Sequence, residues 1–141
     1  MMQMAEIVAQ RSTCDRLNVG AIIIKDGRVI STGYNGNVSG MPHCQHRMLD
    51  VPGIPCTTAV HAEANAIVWA ARHGVATEGT MLFTTHQPCL DCAKLIINAG
   101  IIRVFFKNEY RLREGLEMLL KIDEMYVFRL NEDYSSYQMT R

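Results

Sequence analysis

Two short motifs, His61-Ala62-Glu63 and Pro88-Cys89-Leu90-Asp91-Cys92, constrain this chain more than any other feature. Each stands at the head of a segment with helical periodicity, so a fold that unites them must bring two helix N-termini to one point. Two thiolates and one imidazole then converge on a single ion, a donor set that suits zinc. Cys89 and Cys92 lie three apart on a first helical turn, which lets both sulfurs point the same way. Free backbone N–H groups and the positive end of the helix dipole favour thiolate over thiol there. His61, Cys89 and Cys92 leave one tetrahedral position open for water, as a catalytic rather than a structural zinc site does, and Glu63 is the natural base beside it. Glu63 shares a side-chain direction with His61 only if the first turn bends around the site, and the sequence supplies no reason for that bend.

The rest of the chain reads as a scaffold for this pair. Met4, Ile7 and Val8 predict one face of an amphipathic helix over 3–13. Segments 19–25 and 28–34 are rich in β-formers and flank Asp26-Gly27, which predicts an antiparallel hairpin. Asn35-Gly36 ends the second strand, and a loop rich in Gly, Pro, Cys and His runs to Thr58. Loops beyond about 12–15 residues need a function or a staple. From Thr58 a helix with a small-residue face (Ala62, Ala66, Ile67, Ala70, Ala71) runs to a stop at Gly74. Segment 81–85 is a buried strand, Pro88 opens a helix ending near Ala99 and Gly100, and 102–106 is a further strand, which makes a right-handed βαβ unit. Leu112, Leu116, Leu119 and Leu120 mark another helix and 125–128 a short strand; 130–141 show no periodicity. The expected fold is α/β: a single zinc-dependent domain over 1–141, three layers α/β/α, with a mixed sheet of about five strands whose faces are covered by helices. Trp69 and the nine methionines are read as core filling.

Charge and cysteine usage narrow the setting. Fourteen Lys+Arg balance fourteen Asp+Glu, so no global basic field draws the chain to nucleic acid. No apolar run approaches the roughly 18 residues of a membrane span, and no export leader is recognisable, so the expectation is a cytoplasmic protein with neither nucleic-acid nor membrane partner. Five cysteines, an odd number that includes a C-x-x-C pair, point to metal binding in a reducing compartment rather than to disulfides.

The order H-x-E…P-C-x-x-C resembles the signature of zinc nucleobase deaminases, in which the Glu is not a ligand. Gly33-Tyr34-Asn35-Gly36, His61-Ala62-Glu63-Ala64-Asn65-Ala66-Ile67 and Pro88-Cys89-Leu90-Asp91-Cys92-Ala93-Lys94 resemble the deoxycytidylate (dCMP) deaminases of the cytidine deaminase-like superfamily, over residues 5–110. The zinc motif is common to the superfamily; the Gly33–Gly36 motif and the Cys-bearing loop point to the dCMP branch. The resemblance implies a hydrolase that turns dCMP into dUMP and ammonia, with zinc-bound hydroxide adding at C4 and Glu63 as proton shuttle. It also implies that Asn35 contacts the sugar hydroxyl, that Tyr110 lines the nucleotide pocket, and that the enzyme is a homohexamer activated by dCTP and inhibited by dTTP, with Mg2+ accompanying the effectors. The N–H of Ala62 is a candidate donor to the base carbonyl.

On spacing alone, Asn35-Gly36 is equally turn chemistry and Tyr110 an ordinary half-buried aromatic. His86 falls near the site mouth or on the surface, and His73 adjoins a helix C-terminus that favours a cation. Arg11, Lys94, Lys107 and Arg111 are each able to meet a 5′-phosphate, and the sequence does not choose among them or between ribose and deoxyribose. Two other functions compete: deamination of a base within RNA, as in tRNA adenosine deaminases, and a non-enzymatic zinc module. The charge balance opposes the first, because phosphate contacts dominate polynucleotide affinity, and Glu63 beside an open coordination position opposes the second.

Cys14, Cys44 and Cys56 lie outside the catalytic pair. The 37–58 loop has few large apolar residues to offset an ordering entropy of roughly 1–2 kcal/mol per residue. A second, structural zinc held by these three cysteines, with His43 or His46 as fourth ligand, is the expected staple. The resemblance supports Cys14 and Cys44 in that role; Cys56 rests on this sequence alone, and three buried or free thiols are the alternative.

Overall fold

Asp26 and Gly27 both take positive φ, 48° and 74°, the conformation a two-residue hairpin turn with right-handed strand twist requires. They join β1 (Gly20–Lys25) to β2 (Arg28–Tyr34) in antiparallel register, as the sequence predicts. The computed structural model describes residues 1–45 and 56–139, except the side chain of Tyr137. Beyond the hairpin, α1 spans Met2–Ala9, the two-residue strands β3 (Gly36–Asn37) and β4 (Ala59–Val60) pair with each other, and α2 covers Ala62–Arg72. Then β5 (Met81–His86), α3 (Leu90–Asn98), β6 (Arg103–Asn108), α4 (Glu114–Leu120) and β7 (Tyr126–Leu130) alternate, and β8 (Ser136–Gln138) closes the chain.

The main sheet has the order β2-β1-β5-β6-β7-β8. Strand β1 is antiparallel to both neighbours, while β5, β6 and β7 are parallel, joined by crossovers through α3 and α4. The expected mixed sheet is therefore present, with one strand added. β8 pairs antiparallel with β7 through a turn in which the Tyr134 N–H bonds to the Asn131 carbonyl. It was invisible in the sequence because an exposed edge strand needs no apolar alternation.

Alternation along the strands sorts side chains to two faces. Ala21, Ile23, Leu82, Val104, Phe106 and Val127 face α2, α3 and α4, whose Ala62, Ala66, Ala93, Ile96, Leu116 and Leu119 complete the larger core. Burying each large aliphatic contributes about 1.5–3 kcal/mol. Ile22, Ile24 and Leu130 face the other way, onto Met2 and Ala5 of α1. Among the described residues α1 is the sole helix on that second face. It leaves a row of stacked, half-buried rings, Phe83, Phe105 and Phe128, with centroids 4.3 and 4.7 Å apart.

Several local expectations are corrected. α1 buries Met2, Ala5 and Ala9 and packs half-buried Val8 against the same cluster, whereas Met4 and Ile7 face solvent, so only Val8 of the predicted face turns to the sheet. The helix also stops at Ala9, because the chain turns there to bring Ser12 to Asn35. Trp69 is 45 % exposed and stacks on His73 instead of filling the core, and Met1, Met4 and Met41 are exposed as well. α4 begins at Glu114, which leaves Leu112 in the preceding loop. Residues 46–55 of the long loop, including His46, lie outside the described residues.

Candidate active site

Strand β4 delivers His61 and strand β5 delivers Cys89, each to the N-cap of the helix that follows. The caps explain the geometry that the sequence left open. His61 has φ −72° and ψ 155°, extended rather than helical, so its side chain leaves in a direction a helical residue could not use, and Glu63 one step into α2 turns back beside it. Cys89, at φ −72° and ψ 173°, makes the same departure at the head of α3. Close packing fixes the two heads. A Cβ on Gly33 would lie 2.2 Å from the Ala62 carbonyl oxygen, so α2 rests directly on β2, and Ser31 Oγ donates to the Ala66 carbonyl at 2.6 Å. A Cβ on Gly115 would lie 2.2 Å from the Pro88 carbonyl oxygen, so α4 rests directly on the Cys89 loop.

His61 Nδ1 stands 3.3 Å from Cys89 Sγ and 3.5 Å from Cys92 Sγ. Ligands about 2.1 and 2.3 Å from a tetrahedral zinc stand about 3.6 Å apart, so the three donors match the ion in chemistry and separation. Among the described residues this is the one group with three donor atoms within 4.8 Å of one another. Glu63 is 4 % exposed, and its Oε2 lies 3.7 Å from Cys92 Sγ. Cys92 is buried with it, while His61 is exposed and Cys89 half-buried, so the group opens to solvent on the His61 side.

Electrostatics divide the two sulfurs. The neighbouring Cys92 and His61, through hydrogen bonding, hold Cys89 down to about 4 against its burial. Cys92, beside that thiolate, buried and facing Glu63, is pushed far up. A bound dication favours the second ionisation by compensating both charges. The Cys89 hydrogen bond raises His61. Burial raises Glu63 to about 6, in the range of a group that both takes and gives protons near neutrality.

Ala62 is the buried first residue of α2, where a backbone N–H has no intrahelical acceptor. Asn35 is buried and already occupied: its Oδ1 accepts from Ser12 Oγ at 2.6 Å and from the Val19 N–H at 2.8 Å, and its Nδ2 donates to the Leu17 carbonyl at 2.7 Å. It therefore ties the 12–19 loop to the end of β2 and keeps one N–H for anything else. Tyr110 lines a cavity of about 430 Å³ with Gln87, Glu109, Arg111, Arg113 and Leu116. Of the four basic candidates, Lys107 is paired with Glu6 and Glu132, Lys94 with Asp91, Arg11 is exposed after α1, and Arg111 lies over the Tyr110 ring. His86 is half-buried, with its ring Nδ1 3.0 Å from Thr85 Oγ1 and its pKa lowered by burial. His73 caps α2 and bonds to the Trp69 carbonyl.

Cys44 and Cys56 bring their sulfurs to 3.8 Å. Burial and the neighbouring Cys56 push Cys44 up to about 11, with Cys14 adding to the effect. Burial opposes ionisation of Cys56, but the hydroxyl of Thr58 and the N–H groups of Thr58 and Ala59 hold it at about 7. Cys14 is buried nearby without completing a close set of three, and His43 is exposed. Sequence reasoning missed Ser12 and Gln87, both of which hold site loops through hydrogen bonds. The signal for Gln87 was a long amide directly before Pro88 at the exit of a buried strand.

Comparison with known proteins agrees with this geometry. Residues 1–108 match the cytidine and deoxycytidylate deaminase zinc-binding region. ComE operon protein 2 of Bacillus subtilis is 36 % identical over 146 residues, covering 96 % of this chain and 77 % of that protein. The deoxycytidylate deaminase of Mycobacterium phage D29 is 41 % identical over 117 residues, covering 74 % and 89 %. The crystal structure of dCMP deaminase from the cyanophage S-TIM5, in complex with dCMP and dUMP, superposes with a TM-score of 0.82 at 37 % identity, over 92 % of this chain and 93 % of that one. With its three zinc donors gathered at two helix caps, and a match that runs through both motifs, this chain belongs to the cytidine and deoxycytidylate deaminase family.

Proposed function

We propose that this chain is a hydrolase that converts dCMP and water to dUMP and ammonia. The observation that carries the reading is the convergence of His61, Cys89 and Cys92 beside buried Glu63, in a fold shared with a deaminase solved with dCMP and dUMP. His61, Cys89 and Cys92 would hold zinc, which would lower the pKa of a water towards neutrality and supply a compensating positive charge. Glu63 would accept a proton from the attacking water and pass it to N3 of the cytosine ring as the water oxygen adds at C4. It then takes the proton of the new C4 hydroxyl and delivers it to the amino group, so that the C4–N bond breaks, the C4 carbonyl forms and ammonia leaves. Burial keeps Glu63 from being levelled by solvent between the two transfers.

The remaining residues position the nucleotide. The Ala62 N–H donates to the base carbonyl, the remaining N–H of Asn35 meets the sugar hydroxyl, and Tyr110 lines the pocket. Of the four basic candidates Arg111 is favoured for the 5′-phosphate, because it lines the Tyr110 cavity whereas Lys94 and Lys107 are engaged in ion pairs. We extend the reading to a second zinc on Cys14, Cys44 and Cys56 with His43 or His46, supported by the 3.8 Å separation of two of the sulfurs. It further extends to one cytoplasmic domain over 1–141 that assembles as a homohexamer and responds to dCTP and dTTP with Mg2+. Exposed Val68, Trp69 and Leu95 on the outer sides of α2 and α3 support assembly.

Ammonia release by the zinc-loaded protein across dCMP, CMP, dCTP, deoxycytidine and adenosine-bearing RNA tests the reading. dCMP is expected to be preferred. Equal rates on deoxycytidine would overturn the phosphate requirement, because losing an ion-paired substrate group leaves a site group without its partner.

A further inference from the structure

We propose that Gln87 is a positioning residue that fixes the substrate loop 109–113 against the zinc loop, so that its side-chain amide governs nucleotide affinity rather than the chemical step. The inference rests on the reading of Tyr110 and Arg111 as nucleotide contacts. Gln87 leaves β5 immediately before Pro88 and Cys89 and is only 4 % exposed. Its backbone N–H donates to the Asn108 carbonyl at 2.8 Å, and its Nε2 donates to the Leu112 carbonyl at 2.9 Å. The two bonds straddle the loop that carries Tyr110 and Arg111, gripping it at both ends from one residue.

Among the described residues little else holds that loop. Glu109, Arg111, Leu112 and Arg113 are all exposed and Tyr110 is half-buried, so the segment has almost no apolar burial of its own. A cavity of about 430 Å³ lies against it, lined by Gln87, Tyr110 and Leu116. Glu109 pairs with half-buried Arg129, but the Glu109 side is exposed, and ion pairs open to solvent contribute little. A segment with few buried contacts sits at the low-stability end of a fold and takes its order from specific hydrogen bonds. Here the side-chain bond from Gln87 spans 25 residues of sequence and links the loop to the strand exit that presents the metal ligands. Without it the Leu112 carbonyl loses its donor and the loop must be ordered anew at each binding event, a cost that appears in KM.

Gln87→Met keeps length and burial while removing the donor, and Gln87→Glu keeps shape but places a carboxylate against the Leu112 carbonyl. Both are compared with wild type in their zinc-loaded form. The expected result is a KM for dCMP raised about three- to tenfold, the effect of one net hydrogen bond, with kcat within about twofold and zinc content unchanged. Trypsin should cut after Arg111 and Arg113 faster in Gln87→Met than in wild type, with other sites unaffected. An unchanged KM with unchanged cleavage would overturn the proposal, and so would loss of zinc with a fall in kcat, which would assign Gln87 to the metal loop instead. A wild-type protein inert on dCMP would sink the functional reading, while the trypsin comparison would still decide whether Gln87 holds the loop.

Discussion

Glu63→Gln keeps the length of the side chain and removes its ability to accept a proton. With the three donors untouched, this variant is expected to fold and hold one catalytic zinc, while turnover falls by on the order of 10²–10⁴ or more. Retention of most activity with zinc bound would end the shuttle assignment. His61→Ala and Cys89→Ser are expected instead to lose the metal, as read by metal analysis of the purified protein. Because Cys92 is strongly held in its thiol form when no cation is present, zinc uptake by chelator-stripped protein should release protons and weaken as pH falls. A titration in lightly buffered solution that detects no proton release would contradict this. Identities at this scale were legible because zinc chemistry fixes residue types and spacing. The direction of His61 was not legible, since an N-cap departure from helical dihedrals leaves no trace in residue identity. Asn35 shows the same limit: the motif marked the position, but its bonds to Ser12, Leu17 and Val19 come from a loop with no periodicity.

Between helix and strand, the site depends on two backbone approaches that only glycine permits. Gly33→Ala places a methyl group 2.2 Å from the Ala62 carbonyl oxygen, so α2 must move and carry His61 and Glu63 with it. The expected cost is about 1–3 kcal/mol of stability together with weaker zinc retention. Thermal melting and competition with a chelator measure the two effects, and a stability loss with unchanged zinc affinity would show that α2 moves without its head. At the opposite face, burial works to raise Glu6, but hydrogen bonds from Lys107 and Tyr134 outweigh it and hold its pKa below the ordinary value. A carboxyl lowered by folding contributes stability above its unfolded pKa and loses it as pH falls through the folded value. The Tm advantage of wild type over Glu6→Gln should therefore shrink on acidification below about pH 4.3. A constant difference across that range would dismiss the Glu6 contribution. The hairpin and the βαβ units were readable from turn chemistry and buried apolar runs. The face of α1 was not, because packing against β1 selected Ala5 and Ala9 over the larger Met4 and Ile7.

For the molecule as a whole, metal content is the broadest test. A fully loaded preparation is expected to hold two zincs per chain, falling to one in Cys44→Ser with faster proteolysis within 37–58. A single zinc in loaded wild type would leave Cys44 and Cys56 as a thiol pair. The architecture was largely legible from the alternation of strand and helix signals, whereas β8 and the half-buried aromatic row were not, since both depend on long-range packing. The capping arrangement has a kinetic consequence. His61 and Cys89 occupy N-caps without any side-chain capping bond, positions where Ser or Asp ordinarily shields the first turn. The first intrahelical bonds, from the Asn65 amide to the His61 carbonyl and from the Ala93 amide to the Cys89 carbonyl, both 2.9 Å, hang on residues that the ion immobilises. Chelation should therefore speed deuterium uptake at Asn65 and Ala93 while the amides of β5 and β6 keep their protection, so that two helix-terminal protons act as a clock for metal loss.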